Sequence, residues 1–339
     1  MSFVASLKNL GKKVTATAAA VVTAGALVVA GTGEAAAANR DWLRPDATGT
    51  CDWDAAAYWV QRCDVWSDAM GRNIPVQIQP ALNGGNAGLY LLDGARATNI
   101  ANAWTVDARA HELYVNNNIT LVMPVGGAGS FYANWAEPIN AQGDLYMWDT
   151  FLSQELPAYL EGNFGVARNN NSVIGLSMGG TAAINLAANH PGQFRQAMSY
   201  SGYLNLSGYA MNAMLGLALL DIGGLSINSL YGTAVTPSRN QIDPMSNISR
   251  LNPGQDIYVS AASGLWGPGD AGYAIQDVIS GSILEWISNA STRTWANAAT
   301  GAGLNVTTNY PGSGLHNWVQ WNYQLGQTHQ RVLNVMNAW

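Results

Sequence analysis

Five residues, Gly175-Leu176-Ser177-Met178-Gly179, span the junction of a short apolar run, Ser172–Leu176, and a helical pattern, Ser177–His190, that stops at Pro191. Gly-x-Ser-x-Gly between a strand and a helix is a nucleophile elbow. The turn is tight and the helix packs close to the strand, which is why the flanking positions are glycine. The serine is lifted to the sheet edge, with its Oγ facing a pocket at the start of a helix. A chain organised around such a turn needs a sheet whose strand ends there and helices that cover it.

The rest of the sequence supplies both. Ile74–Gln79 and Gly88–Leu92 read as strands around the turn residues Asn83-Gly84-Gly85-Asn86. Ala103–Asn116 reads as a helix, Ile119–Pro124 as a buried strand and Asp149–Gly162 as a helix. Gln196–Ser201, Asp256–Ala262 and Leu304–Asn309 are further strands, and Ser280–Ser288 and Trp321–Met336 further helices. Strands alternating with helices imply an α/β fold, with a mostly parallel central sheet and helices on both faces. The Gly-, Asn- and Ser-rich stretch 203–251 reads as an irregular insertion over the C-terminal edge of the sheet, where ligands bind in such folds. No linker and no internal repeat divides residues 39–339, which read as one domain.

Charge and cysteine usage narrow the chemistry. The net charge is −6, which gives no footprint for nucleic acid. Lys8, Lys12 and Lys13 are the only lysines, so Schiff-base chemistry, a Ser-x-x-Lys nucleophile and a P-loop lysine are excluded from everything after residue 13. Those lysines precede the Ala/Val-rich run Val14–Gly31 and the small residues Ala35–Ala38, the pattern of a secretory signal cleaved after Ala38. Loss of residues 1–38 leaves 12 positive and 20 negative charges, a net of −8. No other stretch is long and apolar enough to span a membrane. In an exported chain the isolated pair Cys51 and Cys63 is expected to form a disulfide, within an N-terminal extension, residues 39–66. No metal motif and no cofactor motif is present.

A serine nucleophile needs a base, and in this fold the order along the chain is serine, acid, histidine. His111-Glu112 lacks the second histidine of a zinc site, His190 ends a helix before Pro191, and His329 lies inside the last helix. His316 follows a strand and the loop Pro311–Leu315, the expected place for the base. The acid comes from Asp221, Asp243, Asp256, Asp270, Asp277 or Glu285. Position favours Asp270, shortly after a strand. The residue pattern alone leaves Asp270 and Glu285 open.

Several segments resemble the mycolyltransferases of the antigen 85 family and their corynebacterial relatives. They are Met70–Gln77, Tyr90-Leu-Leu-Asp-Gly-Ala-Arg96, Met123-Pro-Val-Gly-Gly-Ala-Gly-Ser-Phe-Tyr132, Trp148–Pro157, Ile174–Gly179 and His316-Asn-Trp318, in order from about Ser67 to the C-terminus. The resemblance implies an α/β-hydrolase with a Ser-Glu-His triad, in which the glutamate follows an apolar pair on a helix. Ile283-Leu284-Glu285 is the matching stretch, so the resemblance selects Glu285 to join Ser177 and His316. It implies an oxyanion hole made by the backbone N–H groups of Met178 and Ala95. It places sugar contacts on Asp93, Arg96 and Trp318, with Asp107 where the family has an asparagine. The family's disulfide before the Trp-x-Thr-Phe segment has no counterpart, since Glu137–Gly143 lacks cysteine.

The implied activity is a secreted, cell-envelope acyltransferase without cofactor. It would move a mycolyl (corynomycolyl) chain from trehalose monomycolate through a Ser177 acyl-enzyme. Acceptors would be another trehalose mycolate, cell-wall arabinogalactan or a protein, with peripheral contact to the outer lipid layer. The alternatives are a secreted esterase or lipase with the same triad, and a wall-binding protein on a hydrolase scaffold.

Overall fold

The computed structural model describes residues 40–44, 49–206, 209–232 and 242–339. The expected signal segment lies outside the described residues. Nine strands form one sheet: β1 (Cys51–Trp53), β2 (Gln61–Ser67), β3 (Arg72–Gln79), β4 (Ala87–Leu92), β5 (Ile119–Pro124), β6 (Asn171–Leu176), β7 (Phe194–Tyr200), β8 (Asp256–Ser260) and β9 (Val306–Asn309). Their spatial order is β1-β2-β3-β5-β4-β6-β7-β8-β9. From β5 to β9 every pairing is parallel, and β1, β2 and β3 extend the sheet by antiparallel pairing. The sheet is therefore mostly parallel, as expected.

The helical segments are α1 (Ala103–Val106), α2 (Ala110–Leu113), α3 (Trp148–Thr150), a π-helical turn (Phe151–Glu155) running into α4 (Leu156–Phe164), α5 (Met178–Asn189), α6 (Tyr209–Gly223), α7 (Ile227–Tyr231), α8 (Ile275–Gly301) and α9 (Trp318–Met336). Strands β4, β5 and β6 are buried along their whole length, so helices cover both faces. Alternate residues serve the two layers. Tyr90 and Leu92 pack with α4, α5 and α8, whereas Leu89 and Leu91 pack with Trp104, Tyr114 and the apolar side of α9.

Three expectations change in detail. Residues 103–116 form two short turns rather than one helix. Arg109 sits between them in the left-handed region, φ 51°, and interrupts the helical path. Strands β3 and β4 flank their turn but do not pair, because β5 lies between them. The Asn118 side chain ahead of β5 holds that turn by accepting from Asn83 and Gly85 N–H, at 3.0 and 2.7 Å. Among its described residues the insertion 203–251 holds the helices α6 and α7 and a 3-10 turn, Ile248–Arg250. Leu219 near the end of α6 and Leu225 just after it bury against the main core.

The extension is part of the sheet. Cys51 and Cys63 face each other across β1 and β2 and are joined by a disulfide. The alternation on β2 buries Cys63 and Val65 and leaves Trp66 outside. Among the described residues no helix is long and apolar enough to cross a membrane.

Candidate active site

Ser177 follows β6 and precedes the first residue of α5. Its backbone is strained, with φ 53° and ψ −121°, a region that non-glycine residues enter only when their surroundings fix them. Its N–H donates to the Tyr200 carbonyl at 2.8 Å, which extends the β6–β7 pairing through the turn. The two motif glycines answer to contacts that a Cβ would forbid. A Cβ on Gly175 would lie 2.0 Å from the Gly179 carbonyl oxygen, and one on Gly179 would lie 2.5 Å from the carbonyl oxygens of Leu92 and Asp93. The strand, the turn and the helix interlock at van der Waals distance, and the serine side chain is pushed to the surface edge.

His316 reaches this serine from the loop between β9 and α9. Its Nε2 lies 2.8 Å from Ser177 Oγ. Its Nδ1 lies 2.8 Å from Glu285 Oε2, so the carboxylate fixes the tautomer with Nδ1 protonated and Nε2 free to accept. The His316 N–H donates to the Gly281 carbonyl at 3.1 Å, pinning the loop to α8 one turn before Glu285. Glu285 is fully buried. Its Oε1 accepts from the Ser201 hydroxyl at 2.8 Å and from Ala262 N–H at 2.6 Å, which offsets its desolvation. The Trp321 indole stands edge-on to the imidazole, with centroids 5.1 Å apart, and Tyr203 lies on another side at 5.8 Å. Burial, and then the charge of Glu285, push the Tyr203 hydroxyl well above its ordinary pKa, so it stays neutral.

Asp270, the positional alternative, faces elsewhere. Its carboxylate accepts from Gly267 N–H at 2.9 Å and from the Asn317 side-chain amide at 2.8 Å. It holds the residue after His316 rather than the imidazole. Asn317 in turn caps α9 by accepting from Val319 and Gln320 N–H.

The loop after β4 borders the nucleophile. A Cβ on Gly94 would come within 3.9 Å of Ser177 Cβ, which puts the next residue, Ala95, beside the serine. Met178 opens α5, where backbone N–H groups lack intrahelical partners and the helix dipole favours negative charge. The Ala95 carbonyl accepts from Gly129 N–H at 3.0 Å, which ties its peptide to the Gly-rich loop after β5.

The four sugar-contact candidates are spread around this centre. Asp93 is buried and its two oxygens accept from Gly94 and Ala103 N–H, at 2.7 and 2.9 Å. Burial pushes its carboxyl up to about 6, these two bonds oppose the shift and the nearby charge of Asp107 adds to it. Arg96 pairs with Asp221 of α6 at 2.5 Å. Asp107 closes α1, and its carbonyl accepts from Asn322 of α9. Trp318 is half-buried between Trp104 and Trp321, perpendicular to both. The structure thus brings Ser177, His316 and Glu285 into direct contact and sets Asp93 and Arg96 on the adjoining loop. Asp107 and Trp318 lie on the α1 and α9 side of the site. Sequence reasoning missed Ser201, Tyr203, Asn317 and Trp321. Only Asn317 carried a signal, as an N-cap residue ahead of an amphipathic helix.

Among known proteins, the Esterase family model matches residues 67–332. A diacylglycerol acyltransferase/mycolyltransferase Ag85C from Mycobacterium avium is 39% identical over 270 residues, covering 78% of this chain and 74% of that protein. Its namesake from Mycobacterium leprae is 37% identical over 283 residues, covering 82% of this chain and 83% of that one. This chain belongs to the antigen 85 family. The crystal structure of Mycobacterium tuberculosis MPT51 (FbpC1) superposes with a TM-score of 0.70 at 29% identity, over 82% of this chain and 98% of that one. The Staphylococcus aureus serine hydrolase FphF superposes with a TM-score of 0.60 at 14% identity and shares the fold. As an antigen 85 homologue the chain is an acyltransferase on an esterase-type α/β-hydrolase fold. The Esterase match begins at Ser67, so β1 and all of β2 before Ser67 lie outside the matched residues.

Proposed function

We propose that the chain is a secreted serine acyltransferase. It moves a mycolyl chain from trehalose monomycolate to a second trehalose mycolate, to cell-wall arabinan or to a protein hydroxyl, through an acyl-enzyme on Ser177. The observation that carries this reading is the hydrogen-bonded line Ser177–His316–Glu285, with 2.8 Å at each step and its acid end sealed from water.

His316 Nε2 takes the Ser177 proton as Oγ attacks the donor ester carbonyl, and Glu285 stabilises the imidazolium that forms. The N–H groups of Met178 and Ala95 receive the developing oxyanion. Losing one such donor typically costs about 3–4 kcal/mol of transition-state stabilisation. His316 then protonates the leaving trehalose oxygen. An acceptor hydroxyl enters, gives its proton to Nε2 and attacks the acyl carbonyl; His316 returns that proton to Ser177 Oγ as the ester bond to the enzyme breaks. Arg96, Asp107 and Trp318 are the proposed sugar contacts, and the buried Asp93 holds their side of the site through Gly94 and Ala103 N–H.

The surface around the site supports a lipid substrate. Ile275, Ile279, Ile283 and Trp286 form one exposed stripe along α8, the helix that carries Glu285, and Leu265 and Trp266 add to it. Leu217 and Leu220 are exposed on α6, the helix whose Asp221 pairs with Arg96. Such surface fits an acyl chain and a peripheral seat on the outer lipid layer. The disulfide supports an oxidising compartment outside the cytosol.

The test is incubation of the purified protein with a 6-O-acyl trehalose donor. Intact-protein mass and lipid products are followed for wild type and Ser177→Ala. An acyl adduct on wild type alone, with trehalose diester accumulating, is the expected result. An adduct with only free acid makes the protein an esterase. No adduct and no turnover make it a binding protein on this scaffold.

A further inference from the structure

Two serines occupy equivalent places on neighbouring strands. Ser177 ends β6 and Ser201 ends β7, and both have φ 53°. Ser177 N–H donates to Tyr200 O on β7, and Ser201 N–H donates to Ser260 O on β8 at 2.7 Å. Each strand end therefore borrows one more pairing from its neighbour and then turns left-handed. At Ser177 the turn is explained by the nucleophile. At Ser201 nothing in a simple triad asks for it, and a left-handed serine is strained.

The side chain supplies the reason. Ser201 is 1% exposed, and its hydroxyl donates to Glu285 Oε1 at 2.8 Å. That direction is enforced, because the same oxygen accepts from Trp321 Nε1–H at 3.1 Å. An indole N–H only donates, so the serine proton is left to point at the carboxylate. Trp321 also stands edge-on to the His316 ring. One tryptophan thus abuts the base and, through Ser201, orients a donor onto the acid.

We propose that Ser201, oriented by Trp321, is a positioning residue for acyl transfer. It holds the Glu285 carboxylate aimed at His316 Nδ1, and the left-handed backbone at Ser201 is retained for this purpose. This rests on the reading of Ser177, His316 and Glu285 as the triad. The titratable groups that face Glu285 are His316, from the loop before α9, and Tyr203, from the loop after β7. Without the Ser201 proton the anionic end of the triad loses one of its three donors, and the acidic limb of the activity profile moves to higher pH.

The experiment compares wild type, Ser201→Gly and Trp321→Phe for the rate of labelling by a fluorophosphonate and for kcat and KM on a soluble activated ester, from pH 5 to 9. Thermal melting is followed in parallel. Glycine removes the hydroxyl and relieves the left-handed backbone, so a folding defect is not built into the variant. The expected result for Ser201→Gly is a fall in kcat of about ten- to a hundred-fold, the range for a bond to a charged group, with KM little changed. The acidic limb moves up and the melting temperature is unchanged or higher. Trp321→Phe shows a smaller fall with the limb moved the same way. A Ser201→Gly enzyme with wild-type kcat and pH profile overturns the proposal. So does a fall in activity that tracks a lower melting temperature with the pH profile unmoved. A wild-type protein that takes no label overturns the triad reading itself, which separates that failure from this one.

Discussion

Replacing Glu285 by Gln isolates the acid's contribution with almost no change of shape. Ser201 and Ala262 both converge on Oε1, so a glutamine keeps these two bonds only by placing its carbonyl oxygen there. Its NH2 group then takes the place of Oε2, facing His316 Nδ1. An amide N–H and an imidazole N–H cannot face each other. The imidazole adopts the other tautomer, with its proton on Nε2 and no lone pair left for Ser177 Oγ. A wrong tautomer in a triad of this kind lowers kcat by about 10⁴-fold, which is roughly 5 kcal/mol of transition-state stabilisation. KM, set by contacts distant from Glu285, stays within a few-fold. The matched control is Asp270→Asn. That carboxylate bonds Gly267 and Asn317 and never meets the imidazole, so kcat is expected to stay within tenfold of wild type. The assay is steady-state turnover of a soluble activated ester, with a melting curve for each variant to show that it is folded. A folded Glu285→Gln enzyme within tenfold of wild type refutes the reasoning, as does an Asp270→Asn enzyme that loses as much.

Other expectations follow from the same contacts. Burial raises the Asp93 carboxyl from 3.8 to about 6, so the folded state binds this proton more tightly than the unfolded chain. Its contribution favours folding most below pH 3.8 and is lost as pH rises through 6, by about 3 kcal/mol in all. Denaturant unfolding at pH 4.5 and 7.5 should therefore show Asp93→Asn gaining on wild type as pH rises, and a pH-independent difference would contradict the assignment. Replacing Cys51 and Cys63 by Ser removes the link across a 12-residue separation. It is expected to cost about 3 kcal/mol of stability. Turnover per folded molecule should not change, because β1 is the outermost strand of the sheet. Gly179→Ala sets a methyl group against two backbone carbonyl oxygens and should prevent accumulation of folded protein. Gly192→Ala, with nothing within 4 Å of the added carbon, should express and melt like wild type.

What the sequence made legible is what is written locally. The elbow can be read because its glycines, serine and flanking strand and helix are contiguous, and each glycine answers to a contact within the turn or with the adjacent strand end. Strands β4, β5 and β6 can be read because burial on both faces leaves unbroken apolar runs. Strands β1 and β2 were missed because one side of the hairpin is polar or open, with Asp52, Arg62 and Asp64 between its apolar residues. That β3 and β4, read as strands around a turn, do not pair has a topological reason. Seven residues separate the two strands, enough to step over β5, and the Gly-rich turn looks the same in either arrangement.

The acid shows where a single sequence runs out. Glu285 lies within a helix of 27 residues, and its function depends on the face it presents to the ends of β7 and β8. Helical periodicity points away from it, because the neighbouring Ile283, Leu284 and Trp286 are exposed while the glutamate is buried. A buried carboxylate flanked by exposed apolar residues inverts the usual amphipathic pattern. That inversion is itself the local trace of a site. The apolar residues face outward because the proposed acyl substrate would cover them, and the glutamate faces inward because three donors await it. A helix read for its stability alone would be assigned the opposite orientation, so the resemblance, and not the residue pattern, had to choose Glu285 over Asp270.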